Sequence, residues 1–263
     1  MKAKLHYVLT TAILLLVFSG FAQNNFFVKV SNHESSQKSN IDKHDSDNLS
    51  IYNIDHSGLS NSLQTLSQKS YPLKAASAMI ILPDTAGEMK RFRVEESSVM
   101  HPDLQAKYPE IKSYIGYSID SPSTYLRFSL SPYHGLSGIV LGEKQTLVYE
   151  AIMGNPNQVT VSNKSDISKN NRFNCNSLEV NLKQTLKSNA SKDADDSKKR
   201  TYRIAISVTG EYSEANGGSL ASVNAAINAT LTNVNAVYEN ELNVSLQLIP
   251  SNDDVVYLNP DTD

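Results

Sequence analysis

Between residues 78 and 182 the chain alternates apolar and polar side chains in short runs, and this period of two constrains the fold more than any other feature. Ala78-Met79-Ile80-Ile81-Leu82 is one apolar run. Ile115, Tyr117 and Ile119 alternate with Gly116 and Ser118, and Leu126, Phe128 and Leu130 alternate with Arg127 and Ser129. Leu147 with Tyr149, and then Val159 with Val161, continue the pattern. Successive side chains of a strand point to opposite faces, so such runs bury one face of a sheet. They recur at roughly 11-residue spacing and are broken by Ser121-Pro122, Ser131-Pro132 and Gly154-Asn155-Pro156, which end strands. The expectation is a β-rich region over residues 76–182, an antiparallel sheet or small sandwich. No internal repeat turns it into a solenoid or propeller.

From residue 201 the pattern changes. Tyr202, Ile204, Ile206 and Val208 alternate with Arg203, Ala205, Ser207 and Thr209, which predicts a half-buried strand ending at Gly210. Asn216-Gly217-Gly218-Ser219 forms a turn with Ser219 placed as an N-cap. Leu220, Val223, Ile227, Leu231, Val234 and Tyr238 recur at helical spacing and predict a helix of about 21 residues, ~31 Å long. Val244, Leu246 and Leu248 begin another strand, stopped by Pro250, and Val255-Val256-Tyr257-Leu258 begin a third. Strand, helix and strand predict a right-handed crossover between parallel strands. One helix leaves the second face of such a sheet uncovered, whereas parallel sheets are buried on both faces. Residues 201–263 are therefore expected to form an incomplete α/β (βαβ) unit. Either it is a truncated domain, or it completes itself against the β-rich region or another chain. The chain as a whole reads as α+β.

The remaining segments read as leaders and linkers. Lys2 and Lys4 precede an apolar to weakly polar stretch, Tyr7 to Phe18, and Gly20 and Ala22 are small residues at the −3 and −1 positions of a signal-peptide cleavage site before Gln23. An apolar stretch of about 12 residues spans only about 18 Å as a helix, against about 30 Å of hydrocarbon, so residues 1–22 are expected to be removed. The product is then secreted, with no membrane association after signal removal. Residues 31–70 are rich in Ser, Asn, Asp, Lys and Gln, with apolar residues too sparse to bury a face, and residues 23–75 are expected to form a polar leader, loose over most of its length. Residues 183–200 hold a single large apolar residue, Leu186, and end in Lys198-Lys199-Arg200. They predict an exposed tether whose basic triplet is either a processing site for a trypsin-like enzyme or a solvated charge cluster.

Charge separates the same parts. Residues 201–263 carry one cation, Arg203, against eight acids, a net −7, while the whole chain is at −3 with a sequence pI near 6.1. Such a balance excludes a basic nucleic-acid surface. The one cysteine, Cys175, has no partner for an internal disulfide, so the fold rests on packing.

At this point TYRIAISVTGEYSEANGGS at 201–219 and NATLTNVNAVYENELNVSLQLIP at 228–250, with IKSYIGYSID and TYLRFSLSPYHGLSGIVL before them, resemble the precursors of secreted bacterial reprolysin-like zinc metalloproteases of the adamalysin/metzincin class. The resemblance spans about residues 108–263 and is most specific in the helix that ends N-x-x-Y-E. It implies a signal peptide, a β-rich prodomain over 76–182, and the start of a zinc endopeptidase domain whose other partners are the remainder of that domain and its protein or peptide substrates. One feature of the family is missing. H-E-x-x-H places two histidines on one helix face to hold zinc and a glutamate to activate the bound water. No such motif occurs in the sequence; His33-Glu34 is followed by Ser35-Ser36-Gln37, and residues 201–263 contain no histidine. The chain is expected to be inactive alone, as the amino-terminal part of a precursor.

Many prodomains of the resembled family and its relatives carry an unpaired cysteine that blocks the catalytic zinc, which makes Cys175 a candidate zinc ligand. A buried structural cysteine in Phe173-x-Cys175, or a disulfide to further sequence, are the other two readings. Asp253, Asp254, Asp261 and Asp263 offer oxygen ligands for calcium, but they match no EF-hand spacing, which favours a solvated acidic end. Two further functions compete with a metalloprotease precursor: a secreted binding or adhesion module, and a prodomain-like protease inhibitor.

Overall fold

The computed structural model describes residues 26–30, 49–67, 77–167 and 198–261. Among these residues nine strands form one antiparallel sheet: β1 (Phe27–Lys29), β2 (Ser50–Ile54), β3 (Ala78–Pro83), β4 (Met89–Glu96), β5 (Lys112–Ser118), β6 (Tyr125–Ser131), β7 (Gly135–Leu141), β8 (Thr146–Ile152) and β9 (Asn155–Asn163). The spatial order β1-β2-β9-β8-β7-β6-β5-β4-β3 is a meander from β3 to β9, to which the first two strands are added beyond β9. The sheet curls into a near-barrel. Tyr149 donates its hydroxyl to the Pro83 carbonyl at 2.8 Å, Tyr52 to that of Asp84 at 2.9 Å and Ser50 to that of Thr85 at 2.8 Å. These bonds tie the β2 and β8 side of the sheet to the end of β3 by donating to its backbone carbonyls.

The inner face carries the main core, including Ile80, Leu82, Phe92, Val94, Tyr114, Phe128, Leu147 and Val161. Two expectations are corrected here. Ile115, Tyr117 and Ile119 are not the core-facing set of their strand: Tyr114 stacks on Phe128 inside, while Tyr117 and Ile119 are exposed. The alternation was right and its phase was not, because Ile115 is apolar for a different contact, described below. The polar-leader reading also fails for residues 26–30 and 49–67. Phe27, Tyr52 and Ile54 enter the main core from β1 and β2, and Leu59 and Leu63 enter it from helix α1 (His56–Ser67). Apolar residues are few in this segment, but Tyr52 and Ile54 are spaced for a strand and Leu59 and Leu63 for a helix. Few residues suffice when β2 pairs along β9.

The carboxy-terminal unit contains β10 (Arg200–Ile204), α4 (Gly210–Ala215), α5 (Leu220–Leu242) and β11 (Val244–Leu248); short helices α2 (Pro102–Lys107) and α3 (Lys164–Ile167) belong to the earlier part. Strands β10 and β11 are parallel, paired from Arg200 with Val244 to Ile204 with Leu248. Ser219 caps α5 in a reciprocal arrangement with Ser222, and Asn243 ends it at φ 54°, a left-handed position asparagine tolerates. Strand β10 is shorter than expected, and the third strand is reduced to a single parallel bridge between Val208 and Val256 after a 3-10 turn at Asn252–Val255. Gly210 explains part of this path: a Cβ there would lie 2.1 Å from the Pro260 nitrogen, so only glycine lets the two backbones meet.

The carboxy-terminal unit packs one side of itself against the β-rich part. Val99, Met100, Leu104, Tyr108 and Ile111 share a second core with Val223, Ile227, Leu231 and Leu248. Ile115 and Tyr125 pack with Ile139 and Ala236 of α5, which is why every residue of β6 is buried on both faces.

Candidate docking junction and processing site

Helix α5 lies across the outer face of the sheet, and the polar positions of β6 meet it. Arg127, expected to face solvent, is 1% exposed. Its Nε lies 3.2 Å from Oε2 of Glu239, whose side chain is 6% exposed. Tyr125, from the same face of β6, donates its hydroxyl to that oxygen at 2.6 Å. The other carboxylate oxygen, Oε1, accepts from Ser245 of β11 at 2.7 Å and from Lys199 at 2.9 Å. One carboxylate therefore joins the sheet, the crossover helix, the second parallel strand and the residue before β10. Burial alone would raise the Glu239 carboxyl, yet Arg127, Tyr125, Ser245 and Lys199 together pull it below its ordinary value, so it stays ionised.

A second junction lies at the other end of α5. The Asp253 carboxylate receives Lys107 at 2.9 Å, the Tyr108 hydroxyl at 3.2 Å and the Asn224 amide at 2.9 Å. Burial, with the charge of Asp253 beside it, pushes the Tyr108 phenol up to about 12.

Between the two junctions the outer edge of β11 is closed. Asn235 of α5 inserts its amide so that Leu246 N–H donates to Oδ1 and Nδ2 donates to the Leu246 carbonyl, both at 2.8 Å. Two residues along, Leu248 N–H donates to the Val99 carbonyl at 2.8 Å and the Leu248 carbonyl accepts from His101 N–H at 3.0 Å. A segment of the β-rich part thus serves as a short parallel strand beside β11. In β10, the side of the pair away from Asn235, Arg200 to Arg203 are exposed.

The basic triplet sits at this junction and is not a free tether. Lys199 is anchored on Glu239, and Arg200 opens β10, its N–H donating to the Asn243 carbonyl at 3.0 Å. The physical reason is that Thr201-Tyr202-Arg203 continues a parallel ladder that begins at Arg200. Lys198 is exposed. Ala22, Gln23 and Cys175 lie outside the described residues. Glu239 and Arg127 escaped sequence reading: a lone arginine between Leu126 and Phe128 has the pattern of a solvent-facing position, and only the N-x-x-Y-E ending marked Glu239.

Among the described residues no three His, Cys, Asp or Glu side chains converge in a way that could hold a metal ion. Zinc has no fitting donor set there, and Asp253, one of the calcium candidates, already has its carboxylate occupied by three protein donors. No helix among the described residues is long and apolar enough to cross a membrane.

Residues 198–263 match the family described as metallo-peptidase family M12B reprolysin-like. The match begins at Lys198 and takes in β10, α4, α5 and β11. It supports a metalloprotease-related protein, and that family is generally zinc-dependent. Comparison with curated proteins and with solved structures finds no match.

Proposed function

We propose that this chain is part of a secreted zinc metalloendopeptidase precursor, in which the β-rich part acts as a propeptide that covers and helps fold the reprolysin-like part. The observation that carries this reading is the docking of the sheet on α5 and β11, where Val99–His101 fills a strand edge and Arg127 and Tyr125 reach the buried Glu239. A cover that donates backbone partners and core side chains lowers the free energy of the unit it covers, which would otherwise expose an unpaired edge. Zinc, Cys175 as its blocking ligand, and removal of residues 1–22 before Gln23 belong to this same reading.

Mass spectrometry of the product secreted from its native gene tests it. The expected material starts at Gln23 and carries an H-E-x-x-H helix in continuous sequence after residues 198–263. A product starting at Met1, or one with no zinc-binding helix, overturns the proposal.

A further inference from the structure

We infer that Glu239 controls proteolytic access to the bond after Arg200, and that it does so as part of the same carboxylate that holds the sheet against α5. This rests on the precursor reading only for its biological meaning, because access to the bond is a property of the fold itself.

At least two contacts close the site. A serine protease that selects arginine needs several residues on both sides of the bond extended and free of other backbone pairing. Here Arg200 to Ile204 are paired with β11, and Lys199, next to the bond, is fixed to Glu239 Oε1 at 2.9 Å. Cleavage requires the start of β10 to peel away, and the ion pair opposes that opening. Lys199 is 48% exposed, so the contact is loose enough to open, while its acceptor is 6% exposed and fixed from behind.

What fixes the acceptor belongs to the other part of the molecule. Arg127 and Tyr125 hold Oε2, while Ser245 and Lys199 hold Oε1. The two oxygens are rigidly joined, so a carboxylate that loses its sheet-side partners is free to turn, and Lys199 loses a positioned acceptor. A docked sheet therefore keeps the junction shut, and a loosened sheet opens it without any residue of the sheet touching the cleavable bond. The charged groups that face Glu239 are Arg127 from β6 and Lys199 before β10, with the Tyr125 phenol as the further titratable group.

The test is limited digestion of the full chain by an arginine-specific protease, following the appearance of the fragment that begins at Thr201. Lys199→Gln keeps Arg200 and leaves the Arg127–Glu239 pair in place; the rate should rise about three- to fivefold, the size expected for loss of a partly exposed ion pair. Glu239→Gln should raise it at least as much. Tyr125→Phe, which touches neither Lys199 nor Arg200, should raise it about twofold or more through loss of one hydrogen bond to Oε2. The same variants digested after denaturation must show equal rates, so that subsite preference is separated from access. Native rates for Lys199→Gln equal to wild type overturn the inference, and this arm reads out even if Glu239→Gln does not fold. A wild-type rate for Tyr125→Phe overturns the coupling to the sheet.

Discussion

Replacing Glu239 with Gln removes one charge from a site where neither Arg127, 1% exposed, nor the carboxylate, 6% exposed, reaches bulk water. The Arg127 guanidinium then keeps only a marginal contact, Nη1 to the Ser97 carbonyl at 3.5 Å. Breaking one side of a buried pair costs about 3–5 kcal/mol because an uncompensated charge remains. Glutamine retains one oxygen for Tyr125 or Ser245, so the lower figure, about 3 kcal/mol, applies. For a domain of this size each 1 kcal/mol moves the melting temperature by about 2–4 °C, which predicts a fall of roughly 6–12 °C. The assay is thermal unfolding of the full chain as wild type, Glu239→Gln, Arg127→Met and the double variant. If the pair is what matters, the double variant costs less than the sum of the singles by about 1.5 kcal/mol or more. A fall below about 2 °C in Glu239→Gln, within the range of surface pairs, or strictly additive costs, refutes the reasoning.

Other consequences follow from the same junction. Because Glu239 is held below its ordinary value, its contribution is complete above the unfolded carboxyl value of about 4.3 and is lost as pH falls through the lower folded value. Stability lent by the junction should therefore be flat from about pH 8 to 5 and decline below about pH 4, and the wild-type advantage over Glu239→Gln should shrink in acid melts. Asn235→Ala leaves the Leu246 N–H and carbonyl without their side-chain partner and should cost about 2–4 kcal/mol in denaturant unfolding, whereas Asn240→Ala on the exposed side should cost almost nothing. The purified chain should not hydrolyse casein with or without added zinc, since the sequence has no H-E-x-x-H; chelator-sensitive turnover in a pure sample would show a site that has been overlooked.

The strands and the long helix were legible because their signals are local. Period-2 runs and proline-bearing turns mark β3, β5, β6, β8 and β9, while β4 and β7 are not so marked, and Ser219, with apolar residues three or four apart, marks α5. What sequence reading missed depends on long-range pairing. Tyr52 and Ile54 look too sparse to matter until β2 is laid along β9. Ile115 and Tyr114 are both apolar neighbours on one strand, and only the arrival of α5 on the outer face decides which faces the main core. Arg127 reads as a solvent residue for the same reason, since its burial is imposed by a helix more than 90 positions away. The basic triplet was read from composition, which carries no information about Val244 waiting to pair with Arg200. The residues that sequence reading missed are thus those where a local rule is broken by a distant element, and Arg127 with Glu239 is the clearest case.

The central claim is that the β-rich part is a cover docked on the reprolysin-like part. It is tested most directly by cutting the chain between them and asking whether they stay together. A recognition site for a sequence-specific protease placed within residues 183–197 allows one cut in the folded protein, followed by size-exclusion chromatography in native buffer. The shared apolar core, the strand edge filled by Val99–His101 and the Glu239 and Asp253 junctions predict that both pieces elute as one species and part only in denaturant. Two separate peaks immediately after cutting, each folded, would contradict the account.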